Sequence, residues 1–149
     1  MKKMTMILIV SLLALTACSA NPRAEIVSAS IERDVAQSGG IFVVIEGYRP
    51  ARVELMVYDF GNVPSSVDAN DYQKVTRWLV DHAHFYQNGK ELERYFYYHN
   101  EKEFVKGKRC KIVVFYQVPD DGMFKGLSFV FDLDGINAAF DGEFAINIE

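Results

Sequence analysis

Only two cysteines occur among the 149 residues, Cys18 and Cys110. That excludes the dense disulfide framework on which small secreted domains rely. No apolar run approaches the roughly 20 residues a membrane-crossing helix needs. The most apolar stretch, Met4 to Leu15, is twelve residues long and is broken by Thr5 and Ser11. Positive charge is also short: 16 lysines and arginines face 20 aspartates and glutamates. Nucleic-acid affinity rests on cationic neutralisation of phosphates, so nucleic acid is not an expected partner. Internal repeats and low-complexity tracts are missing. So are a nucleophile-elbow serine and a glycine loop suited to phosphates, and no motif asks for a cofactor. Half of the chain is nevertheless apolar, which excludes disorder as its general state.

What is present begins at the amino terminus. Lys2 and Lys3 precede the apolar stretch, and Leu15-Thr16-Ala17-Cys18 closes it. Two positive charges, a short apolar core and small residues before a cut make a cleavable export signal. The last four residues resemble the bacterial lipobox, in which the cysteine becomes lipidated and the new terminal residue. Residues 1–17 are therefore expected to be a lipoprotein signal peptide, and 18–23 a lipidated cysteine and tether. Residues 24–149 are expected to form one folded domain. A single acyl chain holds a protein only marginally, so stable anchoring takes two or three. The expected place is the extracytoplasmic side of a cell membrane or outer membrane, bound through lipid on Cys18. Ser19 stands where an aspartate would mark inner-membrane retention, which points toward an outer membrane in a two-membrane envelope. Removing the signal leaves 132 residues with 14 cations against 20 acids. A domain of that size buries a substantial core.

The remainder reads mostly as strands. Val27, Ala29 and Ile31 alternate with Ser28, Ser30 and Glu32, as in a half-buried strand. Gln37 to Gly40 is a turn signal, Ile41 to Glu46 a further strand, and Gly47 to Pro50 a break. Val53, Leu55 and Val57 form the next alternating row, followed by a polar loop from Pro64 to Asn70. Asp71 to Ala83 is ambiguous. Val75 and Leu79 share a helical face with Tyr72, and Asn70 is placed to cap it. Trp78, Val80, His82, His84 and Tyr86 alternate instead. The balance predicts a short helical turn and then a strand from about Trp78. Asn88-Gly89 is a strong hairpin signal, expected to join Leu79–Tyr86 to Glu91–Tyr98. Lys106-Gly107-Lys108 turns the chain into a strand, Cys110 to Val118, apolar on both faces at its middle. Leu127, Phe129, Phe131 and Leu133 make one face of another strand, Asp134-Gly135 turns again, and Phe144, Ile146 and Ile148 suit a last strand. Short strands separated by turn signals predict an all-β, immunoglobulin-like β-sandwich.

Residues 55 to 131 also carry a resemblance. Tyr58-Asp59-Phe60-Gly61-Asn62, Phe85-Tyr86-Gln87-Asn88-Gly89-Lys90-Glu91-Leu92-Glu93, Lys106-Gly107 and the acidic turn Asp120-Asp121 are its elements. The segment is similar to bacterial lipoproteins with an Ig-like domain of unknown function (5067/4352 type). That resemblance implies an extracellular Ig-like sandwich and brings no catalytic residue with it. The polar segment Pro64 to Lys74 and the paired histidines depart from the pattern.

Candidate functional residues are few. On a strand, His82 and His84 would share a face and could bind zinc or copper with Asp81 or a glutamate. On a helix they would diverge, and a solvated or interfacial pair is the simpler reading. His99 is read the same way. Trp78, Tyr86, Tyr95 and Tyr97 form a candidate aromatic binding surface for an envelope or host protein or a glycan. Cross-strand pairing of aromatics within the hairpin is the structural alternative. Cys110 reads as a small buried hydrophobe, against an intermolecular disulfide or a reactive thiol. Asp132, Asp134, Asp141 and Glu143 lack EF-hand spacing and read as solvated turn acids. The expectation is a lipid-anchored interaction module without catalysis. The alternative is a small-ligand or metal-binding lipoprotein using His82, His84 and nearby aromatics.

Overall fold

Two antiparallel-rich sheets face one another in a computed structural model that describes residues 23–33 and 44–147. The signal peptide, Cys18, the turn at 37–40 and Ile148 lie outside the described residues. The first sheet contains β1 (Ala24–Glu32), β2 (Tyr48–Tyr58), β5 (Arg94–Val105), β6 (Arg109–Pro119) and β9 (Ala145–Asn147), in the order β5-β6-β2-β1-β9. The second contains β3 (Ala83–Gln87), β4 (Lys90–Leu92), β7 (Leu127–Leu133) and β8 (Ile136–Phe140), in the order β4-β3-β7-β8. One helix, α1 (Tyr72–Val80), connects the sheets between β2 and β3. The chain is thus an all-β sandwich of the immunoglobulin-like class, as its turn spacing and alternation predict.

Register explains the core. Val53, Leu55 and Val57 of β2 pair with Val114, Ile112 and Cys110 of β6, so all six share the inner face. Opposite them, Phe85 pairs with Phe129 and Ala83 with Phe131 across β3 and β7. Every one of these side chains is buried. Fully burying such a residue contributes roughly 1.5–3 kcal/mol. The outer face of the first sheet has its own small cluster. Phe96 and Tyr98 of β5 cover Val113 and Phe115 of β6, while Tyr97 faces the main core. Beside them, Glu54 accepts from Arg52 at 2.6 Å, Lys111 at 3.2 Å and Ser28 at 3.1 Å. Partial burial works to raise the pKa of Glu54, but these donors, Arg52 foremost, outweigh it and hold the carboxyl below its usual range.

Several local features differ from the sequence reading. The helix runs through Trp78 to Val80, where a strand was expected. Its 3.6-residue period buries Val75, Thr76, Leu79 and Val80 together, which the alternating phase would not. Its cap is Asp71 and not Asn70: Asp71 Oδ1 accepts from the backbone N–H of Gln73 at 3.0 Å and of Lys74 at 3.3 Å. Val27 is half exposed because a bulge between Ile26 and Ser28 shifts the phase of β1. Residues 44–46 are not strand, and Gly47 to Pro50 is not a break, since β2 already begins at Tyr48. Pro50 is tolerated there because β1 reaches only as far as Ala51. The hairpin is also shorter than expected. Asn88 and Gly89 adopt φ of 50° and 78°, as a type I′ turn demands. Yet β3 pairs with β4 only from Phe85↔Leu92 to Gln87↔Lys90. At Glu93 the chain leaves the second sheet, and Arg94 begins β5 in the first.

Gly126 seats this hairpin on the start of β7. Its carbonyl accepts from the N–H of Asn88 at 2.8 Å, and its φ is +69°. A Cβ there would fall 2.0 Å from Asn88 Oδ1. Gly135, at φ +85°, has open space around the same position. Gly126→Ala is expected to lower stability by more than Gly135→Ala, which bears only the left-handed strain of about 1–2 kcal/mol. Urea denaturation of the two variants measures the difference.

The lowered pKa of Glu54 fixes a second expectation. Its contribution is fully present above the unfolded value near 4.5 and is lost as pH falls through the lower folded value. In Glu54→Gln, stability measured by denaturation between about pH 6 and pH 3 should fall less steeply than in the parent.

Candidate functional site

The crossover at Glu93 opens a cleft of about 510 Å³ between the hairpin edge and the first sheet. Asp81 from the end of α1, His84 of β3, Glu91 of β4 and Glu93 of the crossover supply its polar wall, with Arg94 of β5. Tyr116 of β6 completes the lining, beside Ala83 and Leu92.

Arg94 is held from several directions. It donates to the Val80 carbonyl at 3.2 Å and to Asp81 Oδ1 at 3.2 Å. Its guanidinium lies 5.3 Å from the centre of the Tyr97 ring, a cation–π contact. The carbonyl is that of the last helical residue, so Arg94 also satisfies one of the orphan acceptors at the C-terminus of α1. His84 Nδ1 donates to Glu91 Oε1 at 2.6 Å across the hairpin. The pair is part-exposed, so the bond is of modest worth.

Tyr116 is the unusual member. Its side chain is 1% exposed, and its ring stacks on Phe85 at 4.7 Å and meets Phe129 edge-on at 6.5 Å. Its hydroxyl is buried and makes no hydrogen bond among the described residues. Burial drives its pKa upward; nearby Arg94 opposes this, and Glu91 and Tyr86 reinforce it. The hydroxyl thus stays protonated and can both donate and accept. A buried polar group without a partner costs about 1–3 kcal/mol, and folded proteins keep few of them.

The residues singled out from sequence are distributed differently. His84 lines the cleft. His82 does not: its Nδ1 donates to the Asp132 carbonyl at 3.1 Å and its ring meets Trp78 edge-on at 5.8 Å. Among the described residues no group of three or more His, Cys, Asp and Glu side chains is placed to hold a metal ion. Trp78 lies on α1 against Phe60 at 6.4 Å. Tyr86 is half-buried on β3, opposite Glu91 and Ser128. Tyr95 sits at a β5 bulge between Arg94 and Phe96. Tyr97 packs against the main core under Arg94. The four aromatics therefore belong to three separate elements; Tyr97 adjoins the cleft through Arg94, and Tyr86 lies opposite Glu91. Cys110 is buried, 3.6 Å from Thr76 Oγ1, and burial raises its pKa to about 11 against the small opposing effect of that hydroxyl. It is an unreactive core thiol at neutral pH.

Sequence reasoning passed over Tyr116, Arg94 and Glu93. The available signal was a tyrosine in the inward row Cys110, Ile112, Val114, Tyr116, Val118. A buried phenol requires a partner for its oxygen, and that row contains no other polar side chain except the thiol.

No family model, curated protein or solved structure matches this chain.

Removing the Tyr116 hydroxyl while keeping its ring should not harm the fold. Tyr116→Phe is expected to leave thermal stability unchanged or raise it by up to about 1 kcal/mol. Tyr116→Leu, which loses the stacking with Phe85, should be destabilised by at least about 1 kcal/mol. Urea or calorimetric unfolding of the two variants reads both effects.

Proposed function

We propose that this protein is a lipid-anchored, extracytoplasmic binding module that recognises a ligand in the crossover cleft and carries out no chemistry of its own. The observation that carries the reading is the buried Tyr116 hydroxyl, which lines a polar cleft and has no hydrogen-bond partner among the described residues. A buried phenol in the wall of a polar cleft is placed to pair with a bound ligand.

The direction of the strands supports the same reading. The tether runs into β1 at Ala24, which pairs with Val57, and Val57 pairs with Cys110. Tyr116 lies six residues farther along β6, or about 20 Å at strand spacing. An anchor on Cys18 would thus hold one end of the sandwich near the membrane and leave the cleft toward the other end. The acidic balance of the domain gives it no attraction to anionic lipid, so the attachment falls to the lipid itself. The similarity of residues 55 to 131 to Ig-like lipoproteins supports an interaction role.

The small-ligand reading and the interaction reading meet at this cleft. A metal site on His82 and His84 is not favoured, because among the described residues no group of three or more His, Cys, Asp and Glu side chains is placed to hold an ion.

Metabolic labelling with palmitate tests the anchor. The parent protein should take up label and sediment with membranes. Cys18→Ser should lose the label and either accumulate as precursor or leave the membrane fraction. Intact, unlabelled parent retaining Met1 in the cytosol would contradict the reading.

A further inference from the structure

The charge arrangement around Tyr116 narrows the class of ligand, given that the cleft is the binding site. Three carboxylates line it, those of Asp81, Glu91 and Glu93. Asp81 is neutralised by Arg94 at 3.2 Å. Glu91 is hydrogen-bonded through one oxygen, Oε1, to His84. Glu93 makes no ion pair with any described residue. Arg94 already donates to Val80 and Asp81, and His84 Nδ1 to Glu91, so one guanidinium stands against three carboxylates. The acceptors left over are the Glu93 carboxylate, Oε2 of Glu91 and the oxygen of Tyr116.

An anion would meet a wall with more carboxylates than guanidinium groups. A ligand rich in N–H donors and carrying positive charge satisfies all three acceptors at once. We infer that the cleft binds a small organic ammonium, with Glu93 and Glu91 balancing its charge and the Tyr116 hydroxyl oxygen accepting one of its N–H bonds.

Glu93 is exposed at the mouth and Tyr116 closes the floor, so charge attracts the ligand at the rim and the phenol fixes its depth. The arrangement also accounts for the direction in which Tyr116 is polarised. A phenol that keeps its proton accepts from an ammonium without placing a second charge in the core.

The test uses the full chain in detergent micelles, with cadaverine as the probe and isothermal titration calorimetry as the measurement. The expected result is saturable one-to-one binding that Tyr116→Phe weakens about tenfold, the scale of one hydrogen bond to a charged group. Glu93→Gln should weaken it to a similar degree. Glucose and acetate, the neutral and anionic comparisons, should show no saturable binding. Cadaverine binding that is unchanged in Tyr116→Phe would reflect diffuse attraction to an acidic surface and would overturn the inference. Binding of glucose or acetate that depends on Tyr116, in place of cadaverine, would overturn the ammonium assignment and leave the cleft as the binding site. Absence of binding by all three probes to protein with a native circular dichroism spectrum would overturn both readings.

Discussion

The stacking of Tyr116 between the two sheets is the contact on which the rest of the structure turns. Its ring leaves β6 in the first sheet and lies against Phe85 of β3 and Phe129 of β7 in the second. Phe85 in turn meets Phe144 at 5.5 Å, just before β9 returns to the first sheet. Aromatic contacts of this kind add about 0.5–1.5 kcal/mol beyond the area they bury. They also fix the separation and the lateral position of the sheets, because flat rings cannot slide without losing contact. The same ring carries a hydroxyl to the edge where the chain crosses between sheets. Core and cleft are thus built from one residue, and changing its ring and changing its oxygen are separate operations.

The crossover itself follows from the limits of the hairpin. Asn88-Gly89 closes a tight turn, but β4 contributes only three residues before β5 is claimed by β6. Phe96 and Tyr98 cover Val113 and Phe115, and Tyr97 and Phe104 pack against the main core. Burial of these aromatics outweighs a longer two-stranded ribbon, which by itself is marginal in water. The edge left behind is lined by charged side chains from α1, β3, β4 and β5. Arg94 ties α1 to β5, reaching Val80 and Asp81 at the helix end and the face of Tyr97 in its own strand.

Much of this architecture was legible in the sequence. The turns at Asn88-Gly89, Lys106-Gly107 and Asp134-Gly135 depend on local backbone chemistry, and glycines at positive φ mark all three. The inward rows of β6 and β7 depend on strict alternation, and both occur as read. Where two periods coexisted, the sequence was silent: residues 71–83 fit a helix and a strand, and packing against β5 and β6 selects the helix over Tyr72–Val80. The bulges at Val27 and Tyr95 were equally hidden, because a one-residue phase shift leaves composition unchanged. The cleft was the least legible part. His84 drew notice as a possible ligand, but Arg94, Glu93 and Tyr116 meet only because the chain changes sheets at position 93. Sequence separation conceals that meeting, and a lone tyrosine within an aliphatic row was its one trace.

The account stands on Tyr116 being clamped by its ring while its oxygen lies buried beside the cleft in neutral form. Carbon-13 labelling of the tyrosine rings, with each signal assigned by substitution, follows that oxygen through a pH titration. The Tyr116 resonance should not shift up to about pH 11, beyond the ordinary tyrosine value of about 10, while exposed tyrosines ionise. A Tyr116 signal that titrates together with the exposed rings would show a ring that the two sheets do not hold, and the clamp would not stand.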